Sequence, residues 1–542
     1  MANSKYEYVK SFEVEDEIML PNLIVVLIGG HDFRRFSEVH EFEKPNDEKA
    51  LKLMNSCATL VLQEFPDIVF SFGFSDEYSF VFKQTTKFYQ RRASKVVSII
   101  VSFFTSAYTT KWKDFFPEKE LKYPPSFHSR AIVCASLEVL QEYLAWRQQH
   151  CHITNQYSTC LCKLVKSGKT EKEALDILKG TQKQERNELL YRQFGINYTT
   201  LPQIFRQGSC VLKNEVEDIV KYSENGTPVK RMRRDVTTVH SKNIAGRKFW
   251  NEHPSLLKEL GGFTKDVGKI NSDYVRFSEV HDFEKPNDEQ ALNLMNSCAV
   301  AVLQEFPDVV FSYGVSDEYS FVLKKDSQFC QRKASNIVSI MVSFFTSTYV
   351  MNWKAFFPQK ELKYSPAFDG RAVCYPSTEI LRHYLAWRQV DCHINNQYNT
   401  CFWMLVKSGK SKSEAQRVEE DGQDLDVHLI FVFLNSFVLQ GTQAQEKKGM
   451  LAQFGIDDYN ALPVMFRQGS SVFLDDRVLY GNRASGEKPC NKVIVEHCNI
   501  IEQSFWEEHP SILDEIEDVG KVGSDLYLAS LQYYHIVSTA MR

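Results

Sequence analysis

The sequence predicts an α+β protein built as two tandem copies of one domain. The stretch SEVHEFEKPNDEKALKLMNSCA from Ser37 returns as SEVHDFEKPNDEQALNLMNSCA from Ser278, an offset of 241 residues (278 − 37). Alternating aromatic residues after Asp67 predict a pair of strands, and apolar residues at helical spacing precede and follow them. A period this long indicates a duplicated domain, because solenoid repeats recur every 20 to 50 residues or so.

Size and composition limit the class of protein. The chain has 542 residues, so each half, at about 260, is long enough to bury its own core. A net charge of −5 excludes a globally basic nucleic-acid binder, so any RNA contact must come from local patches. The 13 cysteines include no CxxC pair, which predicts reduced thiols in a nuclear (nucleoplasmic) or cytoplasmic compartment.

No targeting or membrane segment is expected. The first 17 residues carry five acidic side chains and no apolar core, which argues against a signal or transit peptide. The longest apolar run, residues 429–439, spans 11 residues, about half of what a membrane helix needs.

The two copies differ in length at two places. Glycine-containing stretches at 261–262 and 266–269 predict a boundary near residue 265, giving copies at 1–265 and 266–542. Tyr8 matches Tyr274 at an offset of 266, so copy two lacks about 25 residues (266 − 241), including the equivalent of the apolar run 23–28. Copy two is therefore predicted to lack its first strand. It also gains about 20 residues within 411–440, through altered exon boundaries, a gene-model error or a natural surface insertion.

The break in the predicted hairpin carries two carboxylates. Ser75, Asp76 and Glu77 lie between the strands, and copy two repeats them as Ser316, Asp317 and Glu318. Oxygen ligands at such a turn can hold a hard cation. An ordinary solvated turn accounts better for an isolated motif of this kind.

Two other segments could approach a phosphate. The apolar run 23–28 ends at Gly29 and Gly30, which indicates a buried strand whose end a ligand can approach closely, or a plain core strand with a glycine turn. Further on, Lys44 precedes Asp47, a natural N-cap for the following helix. Lys44 and its copy-two equivalent Lys285 remain available to a phosphate.

Basic residues form two clusters along the chain. Arg91, Arg92 and Lys95 are predicted to open a long helix that runs to about Trp112, where they oppose the helix dipole unless a polyphosphate docks there. A solvated face is the alternative. The sequence KRMRR at 230–234 predicts a basic loop, either a phosphate contact, a localisation signal or merely a soluble loop.

A third repeated segment combines donors with aromatic rings. YLAWRQQHCHITNQY in copy one returns as YLAWRQVDCHINNQY in copy two. Its Trp146, Arg147, His152, Asn155 and Tyr157 could contact a base or a tRNA end. Lone histidines are more often core residues, and a second histidine or cysteine at zinc-ligand spacing is lacking.

Together these motifs resemble the tRNA-His guanylyltransferases of eukaryotes, in a tandem two-copy form similar to the plant members. The resemblance rests on NSKYEYVKSFE, FEKPND, SDEYSFVF, RRASK, YLAWRQxxCHIxNQY and FWNEHP, and covers both halves. It implies two polymerase-palm-like, ferredoxin-type domains with flanking helices. The implied reaction adds guanosine to the 5′ end of tRNA-His, with ATP activation, GTP transfer and two Mg²⁺ ions. The implied assembly is a tetramer.

The resemblance also implies roles for residues at matching positions. The predicted catalytic residues are Lys44, Asp76, Lys285 and Asp317. The predicted metal ligands are Gly30, Asp76, Glu77, Asp317 and Glu318. The predicted nucleotide contacts are Gly29, Gly30, His31, Asp32, Phe33, Asp47, Ser75, Lys95 and Ser316. The predicted tRNA contacts are Arg91, Arg92, His152, Asn155, His393 and Asn396.

One departure from the family pattern bears on activity. Where the family reads R-[LI]-D-G, this chain has Leu27, Ile28, Gly29 and Gly30, so a metal-binding aspartate is replaced by glycine. Asp32 follows the glycine turn and is a poor substitute. A change of Gly29→Asp is expected to restore one carboxylate.

Three hypotheses of function follow. The first is an active tRNA-His guanylyltransferase. The second is a catalytically impaired subunit that binds tRNA or nucleotide and co-assembles with an intact paralogue. The third is a nucleotidyl cyclase with the same palm, which the HIxNQY and KRMRR segments disfavour.

Overall fold

The protein forms two compact units in a computed structural model. The structure describes residues 4–222, 228–240, 243–261, 277–415, 459–474, 492–517 and 533–540. The first unit is Asp16–Asp273, and the second combines Met1–Glu15 with Tyr274–Arg542. The N-terminal residues thus group with the second unit, although the sequence predicted them as part of copy one.

The first unit contains a mixed set of strands and helices. Its strands are β1 (Leu23–His31), β2 (Ile68–Phe74), β3 (Glu77–Phe82), β4 (Ser126–Cys134), β5 (Ser209–Tyr222) and β6 (Pro228–His240). Its α-helices are α1 (Phe33–Val39), α2 (Glu48–Glu64), α3 (Ala93–Phe115), α4 (Leu137–Lys166), α5 (Glu171–Leu178), α6 (Lys183–Phe194), α7 (Gln203–Gln207), α8 (Arg247–Glu252) and α9 (Pro254–Leu260).

The first-unit sheet has the ferredoxin-type topology that the sequence predicted. Its strand order is β4-β1-β3-β2-β5-β6, and every neighbouring pair is antiparallel. The first four strands follow one another as β-α-β-β-α-β along the chain. This arrangement confirms the predicted α+β class and brings the end of β1 beside the turn between β2 and β3.

Helices cover both faces of this sheet, which explains why its central strands are buried throughout. On one face, Phe104 of α3 packs against Tyr78 and Phe80 of β3. On the other face, Leu144 of α4 and Trp250 of α8 join a cluster with residues of β1 and β2. A strand covered on both faces is expected to be continuously apolar, as LIVVLI in β1 is.

The second unit repeats this set of elements. Its strands are β7 (Val309–Val315), β8 (Glu318–Leu323), β9 (Phe368–Tyr375), β10 (Ser470–Leu474), β11 (Val493–Glu496) and β12 (Tyr533–Ala540). Its α-helices are α10 (Phe277–Val280), α11 (Glu289–Glu305), α12 (Ala334–Phe356), α13 (Thr378–Lys407), α14 (Val464–Gln468), α15 (Gln503–Glu508) and α16 (Pro510–Glu517).

The second-unit sheet is complete, with its central strand supplied by the C-terminal segment. Its order is β9-β12-β8-β7-β10-β11, so β12 lies where β1 lies in the first unit. The registers agree: Gly29 pairs with Glu77 as Thr539 pairs with Glu318, and Ala540 pairs with Phe368. The expectation that this sheet lacks a strand is therefore wrong. The β1 equivalent is missing from the sequence, but β12 satisfies the hydrogen-bonding groups that β8 and β9 would otherwise leave unpaired.

The N-terminal segment belongs to the second unit because its apolar side is buried there. A 3₁₀-helix covers Glu7–Phe12, and its Val9 is only 1% exposed within a cluster of second-unit residues. The Tyr8 hydroxyl lies 2.6 Å from Nδ1 of His383. Glu13 forms an ion pair of 2.8 Å with Arg371.

The structure bears differently on three segments of the sequence: the basic KRMRR stretch, the gain at 411–440 and the apolar run 429–439. The KRMRR sequence lies in strand β6 and is not the predicted loop, because it pairs along its length with β5. Both the 20-residue gain at 411–440, apart from its first residues, and the apolar run 429–439 lie outside the described residues. Within the described part, α12 is long and apolar enough to cross a membrane, but 72% of its apolar window is buried, as in a core helix.

Candidate active site at the strand hairpin

The turn between β2 and β3 meets the end of β1, as the topology requires. Ser75 has a left-handed backbone (φ 52°), and its hydroxyl donates a hydrogen bond of 2.9 Å to Oδ1 of Asp76. The carbonyl of Asp76 accepts a 3.0 Å hydrogen bond from the amide of Gly30. The predicted residues Gly30, Ser75 and Asp76 are therefore neighbours.

Asp76 lies in an environment that disfavours its ionised form. Burial raises the pKa of its carboxyl group, and the nearby Glu77 raises it further. The hydrogen bond from Ser75 opposes this shift. A carboxylate held in this way would gain from a cation placed beside it.

Gly30 is required by close packing. A Cβ atom there would overlap the ring of Phe33 and lie 2.7 Å from Oδ2 of Asp76. Phe33 is fixed between two other rings, at 4.9 Å from Phe36 and 5.0 Å from Phe127 between centroids. Phe33 thus packs against Gly30 near the end of β1. Its predicted contact with a nucleotide stays a prediction.

Glu77 is already paired with a cation from the protein. Its Oε2 lies 2.7 Å from Nη2 of Arg147, a residue of α4 that is only 3% exposed. The Arg147 guanidinium also lies 4.6 Å from the ring centroid of Phe74. Arg147 was expected to face a base or tRNA, and that expectation is wrong because the side chain is buried against the hairpin.

The second unit has the same ion pair. Glu318 pairs with Arg388, which is buried and lies 3.2 Å from a second carboxylate, Asp391. Asp317 is exposed, whereas Asp76 is partly buried. The sequence offered one signal for both arginines: YLAWR recurs with the arginine at the same position relative to the hairpin.

His128 lies beside the glycine that replaces the expected aspartate. It is the cross-strand partner of Gly29 on β4, while Glu77 is the partner on β3. Burial lowers the pKa of its imidazole, and the nearby carboxylates Glu77 and Asp76 oppose that shift, as does a hydrogen bond with the backbone of Gly30. Burial lowers the pKa of His31, and the nearby His128 lowers it further.

Sequence reasoning missed His128, although the repeat contained the signal. Copy one reads Phe-His-Ser-Arg at 127–130, and copy two reads Phe-Asp-Gly-Arg at 368–371. Asp369 is therefore the second-unit equivalent of His128, and it faces Thr539 in the same register. His128 and Asp369 differ between the copies, so the residues that the copies share do not include this position.

These residues do not fit the two-metal site that the resemblance implied. Two magnesium ions need carboxylates that can reach both of them. Position 29 offers no carboxylate, and Glu77 is engaged by Arg147. Within the ranges described, no group of three or more His, Cys, Asp or Glu residues is placed to hold a metal ion. In the first unit Gly30, Asp76 and Glu77 lie close together, but they do not make up a two-metal ligand set. The roles of these three residues, and of Asp317 and Glu318, as metal ligands stay predictions.

Lys44 and Asp47 take part in local contacts. The Lys44 ammonium group donates a 2.6 Å hydrogen bond to the hydroxyl of Ser37, and Lys285 does the same to Ser278 at 2.7 Å. Asp47 caps α2, as predicted, by accepting a 3.0 Å hydrogen bond from the amide of Ala50. The phosphate and catalytic roles of Lys44 and Lys285, and the nucleotide role of Asp47, stay predictions.

Asp32 has the position that the sequence suggested. It is exposed, has a left-handed backbone (φ 50°), and comes directly after β1. It makes no side-chain capping bond to α1. Its place beyond the strand end is consistent with its being a poor substitute for a carboxylate at position 29.

Arg91 has a structural role, and its predicted contact with tRNA stays a prediction. Its guanidinium is buried and donates to four backbone carbonyls: those of Asn22 at 2.6 Å, Ile18 at 2.7 Å, and Gln84 and Thr86 at 3.1 Å each. These bonds fasten the segment before β1 to the segment before α3. No donor geometry of this kind could be predicted from a run of basic residues.

The other two cations of that run remain candidates. Arg92 precedes α3 and lies 3.7 Å from Asp16. Lys95 is in the first turn of α3, with its ammonium 5.8 Å from the ring centroid of Tyr89. The helix begins at Ala93, so only Lys95 of the three lies inside its first turn. The predicted opposition to the helix dipole is correspondingly smaller.

The His-Asn segment of α4 packs internally. The amide of Asn155 is buried, donating to Asn46 at 3.0 Å and accepting from the Tyr198 hydroxyl at 2.9 Å. His152 meets Tyr198 edge to face at 5.2 Å, and burial and three nearby cations lower its pKa. Asn155 therefore contributes to internal packing, and its predicted contact with tRNA stays a prediction.

The second unit repeats this packing. Asn396 accepts a 2.7 Å hydrogen bond from Tyr459, and the ring of His393 lies 5.4 Å from the same tyrosine. Asn396 is buried like Asn155, and its predicted contact with tRNA also stays a prediction. The roles of His152 and His393 in tRNA binding stay predictions.

Comparison with known proteins identifies the family. A model described as tRNAHis guanylyltransferase matches residues 6–135 and 270–376, and one described as the Thg1 C terminal domain matches 138–251 and 379–431. The chain is 61% identical to tRNA(His) guanylyltransferase 1 of Arabidopsis thaliana over 95% of its own length and 91% of the relative. It is 60% identical to tRNA(His) guanylyltransferase 2 of the same plant, over 95% and 99%.

A solved structure also matches part of the chain. The crystal structure of tRNA(His) guanylyltransferase from Saccharomyces cerevisiae is 43% identical, covering 38% of this chain and 93% of that chain, with a TM-score of 0.37. Since the family models match both halves and both plant relatives match across 95% of the chain, this protein belongs to the tRNA(His) guanylyltransferase family.

Proposed function

We propose that this chain acts in the addition of guanosine to the 5′ end of tRNA-His. The observation that carries this proposal is the identity of 61% and 60%, over 95% of the chain, to two plant relatives named tRNA(His) guanylyltransferase. The substrates would be tRNA-His, ATP and GTP, with Mg²⁺ as the expected cofactor. The expected assembly is a homo-oligomer or a complex with a paralogue.

The hairpin turn supports nucleotide binding in the first unit. Gly30 brings the chain close to Asp76, and Ser75 orients that carboxylate. A glycine at a strand end lets a ligand approach the backbone. These three residues are the part of the predicted site that is formed.

The same geometry favours a binding role over catalysis for the chain as it stands. The carboxylate expected at position 29 is missing, and Arg147 neutralises Glu77. A reaction that depends on several carboxylates acting on metal ions would be strongly impaired without them. The chain would then present tRNA and nucleotide in a complex with an intact paralogue.

The experiment measures binding and transfer separately. The full chain is incubated with 5′-monophosphorylated tRNA-His, ATP, GTP and Mg²⁺, while tRNA binding is followed by filter retention. We expect tRNA-His to bind with little or no guanosine transfer. Transfer at the rate of a complete enzyme would show a catalytic role, and failure to bind tRNA-His would overturn the proposal.

Matched substitutions identify which unit is responsible for any transfer. Asp76→Asn alters the first unit, and Asp317→Asn alters the equivalent turn of the second. We expect any residual transfer to be lost with Asp76→Asn and retained with Asp317→Asn, because Asp76 is the aspartate that lies against the glycine turn.

A further inference from the structure

We propose that His128 closes the position where the missing carboxylate would lie, so that Gly29 and His128 form a coupled pair and Gly29→Asp alone does not reopen the site. The ligand of the opened site would be a nucleoside triphosphate with its divalent cation. This part of the inference rests on the proposed function.

The imidazole of His128 occupies the space that a side chain at position 29 would need. A Cβ atom on Gly29 would lie 2.7 Å from Cε1 and 2.8 Å from Nε2 of His128. Both distances are well below an ordinary contact between carbon and ring atoms, which is about 3.5 Å or more. Any side chain at position 29 therefore requires the imidazole to move. The atoms met are the tip of the imidazole ring, and His128 is half-buried at the position on β4 that pairs with Gly29.

Charged and polar groups surround the imidazole of His128. His128 faces the carboxylates of Glu77 and Asp76 and forms a hydrogen bond with the backbone of Gly30. Arg130, two residues along β4, adds a nearby positive charge. The imidazole therefore lies near two residues that were predicted to hold metal ions. An imidazole in this position supplies a neutral or cationic group where a metal site would need a carboxylate oxygen.

The second unit has a different pair of residues at the same two register positions. There the register position of Gly29 is held by Thr539, which has a Cβ atom, and its partner on β9 is Asp369 in place of His128. At these register positions the second unit therefore pairs a threonine with an aspartate. Glycine and histidine occur together in one unit, and threonine and aspartate occur together in the other.

A double-mutant cycle tests the steric coupling without any ligand. The variants are Gly29→Ala, His128→Ala and the double change, made in the full chain and compared by thermal unfolding. We expect Gly29→Ala to lower the first-unit transition by roughly 2 to 4 °C or more. In the His128→Ala background the same change should have little effect.

A matched control establishes what an ordinary glycine substitution does. A Cβ atom on Gly246 would meet its nearest neighbour at 3.6 Å, an ordinary contact, so Gly246→Ala should leave the transition nearly unchanged. Additive effects of Gly29→Ala and His128→Ala would overturn the proposal. Coupling between them supports it, whatever the activity of the chain.

Calorimetry with Mg²⁺ and GTP tests the ligand. We compare the full chain with Gly29→Asp, His128→Asp and the double variant, and repeat each titration with GTP in the absence of Mg²⁺. The double variant should bind GTP at least about tenfold more tightly when Mg²⁺ is present, an effect typical of groups that support a metal ligand. Neither single variant should show this gain.

The outcomes of the titration are distinct from those of the tRNA experiment. If Gly29→Asp alone gains as much as the double variant, His128 does not close the site. If the double variant gains nothing, the position is not one for a metal-bound nucleotide. Failure to bind tRNA-His would instead contradict the proposed function and leave the steric coupling standing.

Discussion

The two units share one sheet order but obtain their central strand from different parts of the chain. In the first unit β1 precedes the hairpin in sequence, whereas in the second β12 follows everything else. The registers on both sides of the strand are nevertheless the same. The sheet thus keeps one place and one register for its central strand in both units. The residue opposite the hairpin glutamate differs, being Gly29 in the first unit and Thr539 in the second.

The units also differ in what covers helices α4 and α13. Trp387 is 7% exposed because the N-terminal segment packs beside it, with Lys10 5.2 Å from its ring centroid. Its first-unit equivalent Trp146 is 53% exposed. The same helix face is therefore part of the core in the second unit and part of the surface in the first.

The largest expected effect follows from removing the C-terminal strand. Deleting residues 531–542 takes away eight paired positions with β9 and five with β8. At about 1 kcal/mol for each hydrogen bond lost, plus the burial of the strand, the loss is comparable with the entire stability of a typical domain. We expect the second unit to lose amide protection in hydrogen exchange at β7, while β2 in the first unit keeps it. Equal protection of β7 before and after the deletion would contradict the assignment of β12.

A smaller effect is expected from the buried arginines. Arg147→Met leaves Glu77 without its partner, and breaking a buried pair in this way costs about 3 to 5 kcal/mol. Adding Glu77→Gln should recover much of that loss, because no uncompensated charge remains. Arg388→Met should destabilise the second unit alone, which chemical denaturation with fluorescence of unit-specific tryptophans would detect. A double variant as unstable as Arg147→Met would show that the guanidinium matters for packing and not for charge.

The N-terminal segment should stabilise the second unit only modestly. Val9→Ala removes two buried methyl groups, for an expected loss of about 1.5 to 2.5 kcal/mol from that unit. Val14→Ala is the control, since Val14 is 80% exposed and its truncation should change stability by less than about 0.5 kcal/mol. If both changes have the same effect, the segment is not docked through Val9.

Local patterns in the sequence predicted the elements of the first unit well. The alternating aromatics gave β2 and β3, the run LIVVLI gave β1, and Asp47 gave the start of α2. These features depend on neighbouring residues, so a single sequence contains them. The repeat then extended most of them to the second unit.

The features that could not be predicted depend on residues far apart in the chain. The pairing of Tyr533–Ala540 with β8 joins residues 215 positions apart (536 − 321), and no local pattern marks that segment as a replacement for β1. The contact of Gly29 with His128 also joins distant strands. The same limit applies to Arg91 and Asn155: their charge and polarity were visible, but their buried partners were not.

Guanosine transfer tests the central claim most directly, namely that the first-unit site is formed but closed. The unmodified chain, Gly29→Asp and the double variant Gly29→Asp, His128→Asp are each given 5′-monophosphorylated tRNA-His, ATP, GTP and Mg²⁺. We expect transfer only with the double variant, faster than the other two by roughly two powers of ten or more, which corresponds to about 2.7 kcal/mol of transition-state stabilisation. Transfer by the unmodified chain at the rate of the double variant would contradict the account.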